Sequence, residues 1–168
     1  MSCPITKLVL IDLDETLVED QWKALPEARI VLQLLSDLGY KLVLFSHNHN
    51  AIQVAIRADL YYDPRHCDCR CYWDFVAAGL APPSGHVTSY SALTKEWNLQ
   101  QVVLRYTDVT LQEMVVFDDW RRVIDWCAEL QIPCRQVNPR KGITANDVVA
   151  MGLVPWHPVF GYSMNHTT

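Results

Sequence analysis

The sequence has 168 residues, of which 50% are apolar and 20% are charged, and its formal net charge is -5 at pH 7. This length fits one domain with one buried core, and two full domains would be cramped. The acidic balance argues against general nucleic-acid binding, because phosphate binding depends on clusters of Lys and Arg. The N-terminus lacks a signal-peptide pattern and no apolar run has the length of a membrane span, so we expect a cytoplasmic protein with reduced cysteines and no membrane partner.

Short apolar runs alternate along the chain with segments in which apolar residues recur every three or four positions. Such runs are typical of strands buried on both faces of a parallel sheet, and the recurring positions are typical of amphipathic helices. The alternation predicts a three-layer, Rossmann-like α/β fold with helices on both faces of the sheet. Four strands are predicted, over 5–11, 40–46, 113–117 and 132–138. The first strand is followed by a helix that begins at Pro26 and ends at Gly39, and the second by a short helix with Ile52, Ala55 and Ile56 on one face. Further helices are predicted from the N-cap Ser91 to Tyr106, over 120–130, and over 144–151, where Gly152 ends the last one.

The predicted domain covers residues 1–155. Within it, a segment at about 59–88 is rich in Tyr, Cys, Pro and Arg and is predicted to be a loop-rich insertion. Residues 156–168 contain Pro and Gly without periodicity, so we expect an irregular C-terminal tail.

A cluster of one histidine and three cysteines lies in this insertion, at His66, Cys67, Cys69 and Cys71. Zinc binding is one hypothesis for it, but structural zinc sites usually draw their ligands from two clusters and no second group of thiols follows. Packing of alternate cysteines on one face of an extended strand is the interpretation that we favour.

Polar side chains follow three of the four predicted strands, where each strand ends. They are Asp12 and Asp14 after the first strand, Ser46, His47 and Asn48 after the second, and Asp118 and Asp119 after the third. In a parallel α/β sheet, function collects at the carboxyl ends of the strands. If the three strands are neighbours, the four carboxylates converge, and a cation is needed to offset their repulsion. Oxygen ligands without a His or Cys cluster favour Mg²⁺.

The spacing of the first acidic pair allows a division of chemical roles. Asp12 and Asp14 lie on the same side only if the chain stays extended between them. One carboxylate could then attack phosphorus, with a cation screening the repulsion, to form an aspartyl-phosphate. The other could protonate the leaving oxygen and then activate water.

Four motifs in order resemble those of the haloacid dehalogenase superfamily. The stretch "DLDET" at 12–16 looks like the D-x-D-x-[TV] motif, "LVLFS" at 42–46 looks like the second motif, Lys95 at the start of a helix looks like the third, and "VVFDD" at 115–119 looks like the fourth. The match covers roughly residues 5 to 125 and implies the fold of that superfamily. It is similar to the small, cap-less magnesium-dependent phosphatases, in which arginine stands where this chain has His47.

The resemblance also implies roles for individual residues. Asp12 would be the nucleophile and a metal ligand, and Asp14 the general acid and base whose backbone carbonyl binds Mg²⁺. Thr16 would support this motif. Phosphate oxygens would be held by Ser46, the backbone after it and Lys95, while Asp118 and Asp119 would complete the metal site. The sequence leaves open which of these two aspartates binds the ion directly.

For the histidines and the substrate, alternatives stay open. His47 or His49 could contact phosphate or substrate, or either could be a loop histidine exposed to water.

The first functional hypothesis is an Mg²⁺-dependent phosphomonoester hydrolase that acts on a phosphoprotein or a small phosphometabolite. The second is a catalytically idle domain of the same fold that binds a phosphorylated ligand or a partner protein. Oligomeric state is not predicted.

Overall fold

The computed structural model describes residues 5–66, 68–78 and 92–154, and these ranges contain five strands and five α-helices. The strands are β1 (Leu8–Ile11), β2 (Lys41–Ser46), β3 (Trp73–Ala78), β4 (Met114–Asp118) and β5 (Cys134–Gln136). The helices are α1 (Ala28–Asp37), α2 (Ala51–Arg57), α3 (Ala92–Arg105), α4 (Arg121–Glu129) and α5 (Ala145–Ala150). A single turn of 3-10 helix at Leu111–Glu113 precedes β4.

All five strands are parallel and lie in one sheet in the order β3-β2-β1-β4-β5. β1 occupies the centre, and its last residue, Ile11, pairs with Leu44 on one side and Phe117 on the other. The strands that end in acidic and polar residues are therefore neighbours. Their carboxyl ends meet at one edge of the sheet, as the sequence predicts.

The side chains of β1 alternate between two cores because successive residues of a strand point to opposite faces. Val9 and Ile11 pack with α1, α2 and α5, whereas Leu8 and Leu10 pack with α3 and α4. Helices therefore cover both faces of the sheet, which confirms the predicted three-layer α/β fold. In the described ranges, no helix is both long enough and apolar enough to cross a membrane.

A strand that the sequence analysis did not predict, β3, forms one edge of the sheet within the segment interpreted as a loop-rich insertion. It pairs with β2 alone, so one side of its backbone has no strand partner within the described part of the chain. Only Trp73 and Ala77 of its six residues are buried, and Asp74 is exposed. Its apolar run, at 75–78, is short and lies in a segment rich in Tyr, Cys, Pro and Arg, so the pattern indicated a loop.

The apolar face predicted for α2 is only partly buried. Ala55 of that face is buried, whereas Ile52 and Ile56 are 39% and 46% exposed, and the other buried residues of the helix are Ala51 and Val54. The helix therefore directs Ala51, Val54 and Ala55 into the core and leaves its two isoleucines partly in contact with solvent.

The cysteine-containing segment is not the extended strand that we expected. Cys69 is exposed and has a positive φ of 56°, so the chain turns there. Cys71 is partly buried against the core, and its Sγ accepts a hydrogen bond from the backbone N–H of Trp73 at 3.3 Å. Cys67, which belongs to the zinc hypothesis, lies outside the described residues. His66, Cys69 and Cys71 do not form a group with metal-binding geometry among the residues described.

The turn that anchors this segment is organised by Asp63, whose side chain is buried. Its carboxylate accepts hydrogen bonds from the backbone N–H and the guanidinium of Arg65 and from Gln33. The Arg65 guanidinium holds the pKa of the Asp63 carboxyl well below its usual range. This segment is therefore ordered by an ion pair between the buried carboxylate of Asp63 and the half-exposed guanidinium of Arg65. The predicted N-cap Ser91 and the tail at 156–168 lie outside the described residues.

Glycines with positive φ end α1 and α5, at Gly39 (φ 86°) and Gly152 (φ 71°), which confirms the two predicted helix stops. A third such residue, Gly142 (φ 72°), lies in a much tighter place. A Cβ at this position would lie 2.7 Å from both the side chain of Leu25 and the carbonyl oxygen of Thr16. The next residue, Ile143, donates its N–H to that same carbonyl at 2.8 Å. The loop after β5 therefore supports the turn that follows β1.

We expect Gly142→Ala to destabilise the protein by about 3 kcal/mol, because it combines a left-handed backbone conformation with an overpacked contact. Gly39→Ala is the matched control, since it has the same sign of φ but open space around the new methyl group. It should cost only about 1 kcal/mol. Urea unfolding of the two variants measures both values, and equal losses would contradict the close packing at Gly142.

Candidate active site

The candidate site lies where β1, β2 and β4 end. Asp12 follows β1 directly, and Asp118 is the last residue of β4. Both carboxylates are almost fully buried, at 2% and 1% exposure. Burying a carboxylate without compensation is strongly unfavourable, so each of them needs a partner of opposite charge or several hydrogen-bond donors.

Lys95, in the first turns of α3, supplies that compensation. Its Nζ lies 3.1 Å from Oδ1 of Asp12 and 3.0 Å from Oδ2 of Asp118, and it donates to the backbone carbonyl of Phe45 at 2.5 Å. The lysine is 2% exposed. One ammonium group thus joins the ends of all three central strands.

Lys95 is charged in this arrangement. Burial by itself lowers the pKa of a lysine, but the nearby charges of Asp118 and Asp12 and their hydrogen bonds outweigh burial and raise the pKa of Lys95 above its ordinary value. The ammonium therefore keeps its proton at neutral pH.

A third carboxylate, that of Asp119, completes a cluster with Asp12 and Asp118, in which one oxygen of each residue lies within 4.8 Å of the others. Three carboxylates and one ammonium leave a formal charge of -2. Burial, followed by the charge of Asp12, raises the pKa of Asp119 to about 8 and that of Asp118 to about 6. The carboxyl groups hold protons more tightly than usual because burial disfavours their charged form and a neighbouring carboxylate repels it.

This donor set fits a divalent cation. The available ligand atoms in this cluster are carboxylate oxygens, which are hard ligands. A divalent cation would neutralise the formal charge of -2. The residues that could hold Mg²⁺ through carboxylates are Asp12, Asp118 and Asp119. The carboxylate of Asp14 lies elsewhere, where it accepts a hydrogen bond from Asn48 Nδ2 at 3.2 Å.

The backbone turns sharply after Asp12 instead of continuing as a strand. The carbonyl of Leu13 accepts the N–H groups of Thr16, Leu17 and Val18. This turn brings the Thr16 hydroxyl back to Oδ2 of Asp12, to which it donates at 3.3 Å. Asp12 therefore has one oxygen beside Lys95 and the other beside Thr16, and Asp14 is directed to a separate position.

The predicted phosphate-binding residues lie at the end of β2. Ser46 is fully buried, and its Oγ accepts the backbone N–H of Asn48 at 3.0 Å. His47 and Asn48 are half-buried. Burial lowers the pKa of His47, and the charge of Lys95 lowers it further against the opposing effect of Asp14 and Asp118. The imidazole is consequently neutral near pH 7.

One residue of this region was missed by the sequence analysis. Asn98, in α3, is fully buried and donates through Nδ2 to the carbonyl oxygen of Ser46 at 2.8 Å. It lies three residues after Lys95, on the same face of the helix. A polar residue at this spacing from a buried lysine is the signal that could have indicated it.

A cleft of about 420 Å³ opens beside these residues. Its walls combine the predicted site residues with exposed acidic and aromatic side chains. The residues that line it include Asp14, Glu15, Glu19, Asp20, Trp22 and His47. A substrate that entered this cleft would meet Asp14 and His47 together with a negatively charged rim.

No protein-family model and no curated protein matches the sequence, but solved structures match the fold. One is the N-terminal part of a Bacteroides fragilis protein that contains a phosphatase domain complexed with Mg. It has a TM-score of 0.61 and 16% identity, and the match covers 89% of this chain and 40% of that one. A haloacid dehalogenase-like family hydrolase from Streptococcus pneumoniae has a TM-score of 0.58 and 11% identity, covering 87% of this chain and 90% of that one. A predicted phosphatase from Clostridium acetobutylicum has a TM-score of 0.56 and 13% identity, covering 88% and 91%.

At 11% to 16% identity, what these structures share with the chain is its fold. The chain therefore has the haloacid dehalogenase-like fold that the four motifs imply. It spans less than half of the Bacteroides fragilis chain and most of the other two.

We expect the affinity for Mg²⁺ to depend on pH, because protons compete with the cation for the same carboxylates. The pKa values of Asp119 and Asp118 are raised to about 8 and about 6, so affinity should rise as the pH increases between these values and level off above them. Binding near pH 7 should release protons, and the rise should approach about tenfold per pH unit for each proton displaced.

Isothermal titration calorimetry in two buffers of different ionisation enthalpy measures both the affinity and the proton release. Asp119→Asn removes the carboxyl group with the higher pKa and should flatten the pH dependence between 7 and 8. Affinity that does not change with pH in the unmodified protein would contradict the assignment of the cation to this cluster.

Proposed function

We propose that the protein is an Mg²⁺-dependent phosphomonoester hydrolase that acts through an aspartyl-phosphate on Asp12. The observation that carries this proposal is the contact of one buried ammonium, Lys95, with both Asp12 and Asp118, beside a third carboxylate. Phosphoryl transfer needs little covalent chemistry from a protein beyond a positioned nucleophile and neutralised charge. The cluster offers both.

In the first step, an oxygen of Asp12 forms a bond to phosphorus while the bond between phosphorus and the leaving oxygen breaks. Lys95 and Thr16 hold the two oxygens of Asp12, so the carboxylate is oriented before the substrate arrives. The ammonium of Lys95 also offsets the negative charge that an approaching phosphate adds to the site. A bound Mg²⁺ would supply further charge neutralisation at the carboxylate cluster.

Asp14 is the proposed general acid and base. It lines the cleft, and Asn48 orients its carboxylate. It would donate a proton to the leaving oxygen and then accept one from the water that attacks phosphorus. The second step releases Asp12 and inorganic phosphate and returns the proton to Asp14.

The remaining predicted residues would bind the phosphate. Ser46 ends β2 and the backbone of His47 and Asn48 follows it, and the neutral His47 could accept a hydrogen bond from the substrate or donate one to it. We also propose that the protein belongs to the cap-less branch and acts in the cytoplasm. The alternative of a catalytically idle domain is less well supported, since such a domain has no need of three clustered, mutually repelling carboxylates, two of them buried and the third half-buried.

We expect Asp12→Asn to abolish hydrolysis of para-nitrophenyl phosphate by at least about a thousandfold, because the amide cannot attack phosphorus. The variant keeps the size of the side chain and one oxygen, so it should fold. Activity in the unmodified protein should require Mg²⁺ and disappear with chelator.

The matched control is Asp59→Asn, since Asp59 is a highly exposed aspartate at the end of α2. It should retain full activity. Near-normal turnover by Asp12→Asn would refute the covalent mechanism. Absence of turnover in the unmodified protein, with Mg²⁺ present, would favour the idle domain.

The charge of the cleft bears on which phosphorylated substrates fit. Glu15, Glu19 and Asp20 are exposed along its wall, and Trp22, 39% exposed, stacks with the guanidinium of Arg57 at 4.9 Å from its ring centroid. Anionic groups next to the transferred phosphate would be repelled by these carboxylates. We therefore propose that the preferred substrates carry neutral or basic groups around the phosphate.

Phosphoserine peptides with flanking lysines should be hydrolysed with a higher kcat/KM than peptides with flanking aspartates, by about fivefold at low salt. The preference should weaken at high salt because the charges are exposed. The double variant Glu19→Gln, Asp20→Asn should reduce the ratio of the two kcat/KM values. Equal ratios in the variant and the unmodified protein would show that these acidic residues do not select substrates.

A further inference from the structure

Helix α3 directs two buried polar side chains at the end of β2. Lys95 donates to the carbonyl of Phe45 and Asn98 donates to the carbonyl of Ser46, so two successive carbonyls of the strand are held by one helix. The two side chains are three residues apart, which places them one above the other on the helix surface. Lys95 belongs to the proposed catalytic cluster, whereas the proposed reaction has so far given Asn98 no role.

Asn98 is expected to lower the stability of the folded protein at this position. Its side chain is fully buried, and its Oδ1 has no hydrogen-bond partner among the described residues. A buried acceptor without a partner is destabilising, and asparagine is a poor helix former compared with leucine. Stability alone would favour an apolar side chain here, so the useful part of Asn98 is the amide that reaches Ser46.

The contact fixes the backbone that precedes the phosphate-binding turn. The peptide bond between Ser46 and His47 is trans, so the N–H of His47 points opposite to the carbonyl that Asn98 holds. With the Phe45 carbonyl also held, two consecutive peptide planes cannot rotate freely. The Ser46 hydroxyl accepts the backbone N–H of Asn48, which completes the turn.

We propose that Asn98 is a positioning residue for phosphate binding: by holding the Ser46 carbonyl, it orients the backbone N–H of His47, which belongs to the same peptide plane, toward the substrate phosphate. This proposal rests on the proposed function, which places the phosphate at that turn. Asn98 does not touch the substrate itself and acts through the peptide plane.

The test compares Asn98→Leu, which removes the amide at similar volume, with Asn98→Gln, which keeps an amide donor on a longer chain. Gln100→Leu, at an exposed position of the same helix, is the matched control. Binding of inorganic phosphate in the presence of Mg²⁺ is measured by calorimetry, alongside the KM and kcat for para-nitrophenyl phosphate and the melting temperature.

We expect Asn98→Leu to weaken phosphate binding and to raise KM by about tenfold, which is the effect of losing one well-placed hydrogen bond. The melting temperature should change little. Asn98→Gln should fall between the leucine variant and the unmodified protein, and Gln100→Leu should match the unmodified protein. If the leucine variant does not fold, the glutamine variant still gives the phosphate affinity.

Normal phosphate affinity and KM in a folded Asn98→Leu variant, or in Asn98→Gln if the leucine variant does not fold, would overturn the positioning role and leave the proposed function intact. An unmodified protein that binds phosphate without hydrolysing it would refute the hydrolase and still allow the positioning role to be measured. An unmodified protein that does not bind phosphate at all would overturn both proposals.

Discussion

The buried ammonium of Lys95 is the interaction on which the rest of the site depends. Asp12 and Asp118 end neighbouring strands, and without a positive charge between them their burial would oppose folding. The same ammonium reaches the Phe45 carbonyl, so it connects the end of β2 to the two acidic strands. The ammonium of Lys95 offsets the two buried carboxylates in the folded protein, and it would also offset the negative charge of a bound phosphate. One side chain therefore serves both stability and the proposed chemistry.

The central part of the fold could be predicted from the sequence because its pattern is unambiguous. β1, β2 and β4 are buried on both faces, and each reads as a continuous apolar run. The edge strand β3 was missed, because its short apolar run at 75–78 lies in a segment rich in Tyr, Cys, Pro and Arg that is typical of a loop. The apolar face predicted for α2 is only partly buried, because the sequence does not show which of its apolar residues face the core.

The proximity of the candidate residues could be predicted only in part. The acidic residues of β1 and β4 meet because parallel strands align their carboxyl ends, and this follows from topology. The sequence does not show that the chain turns after Asp12 and separates the Asp14 carboxylate from the cluster. Nor does it show Asn98, since the significance of this residue depends on which carbonyl lies opposite it in the folded chain.

The proposed covalent mechanism is tested most directly by locating the phosphoryl group on the protein during turnover. The protein is mixed with a phosphomonoester and Mg²⁺, quenched in acid, digested and analysed by mass spectrometry. We predict a phosphorylated peptide that contains residues 8–23 and carries the modification on Asp12. Phosphorylation of His47 instead, or hydrolysis through which Asp12 is never modified, would contradict the proposed mechanism.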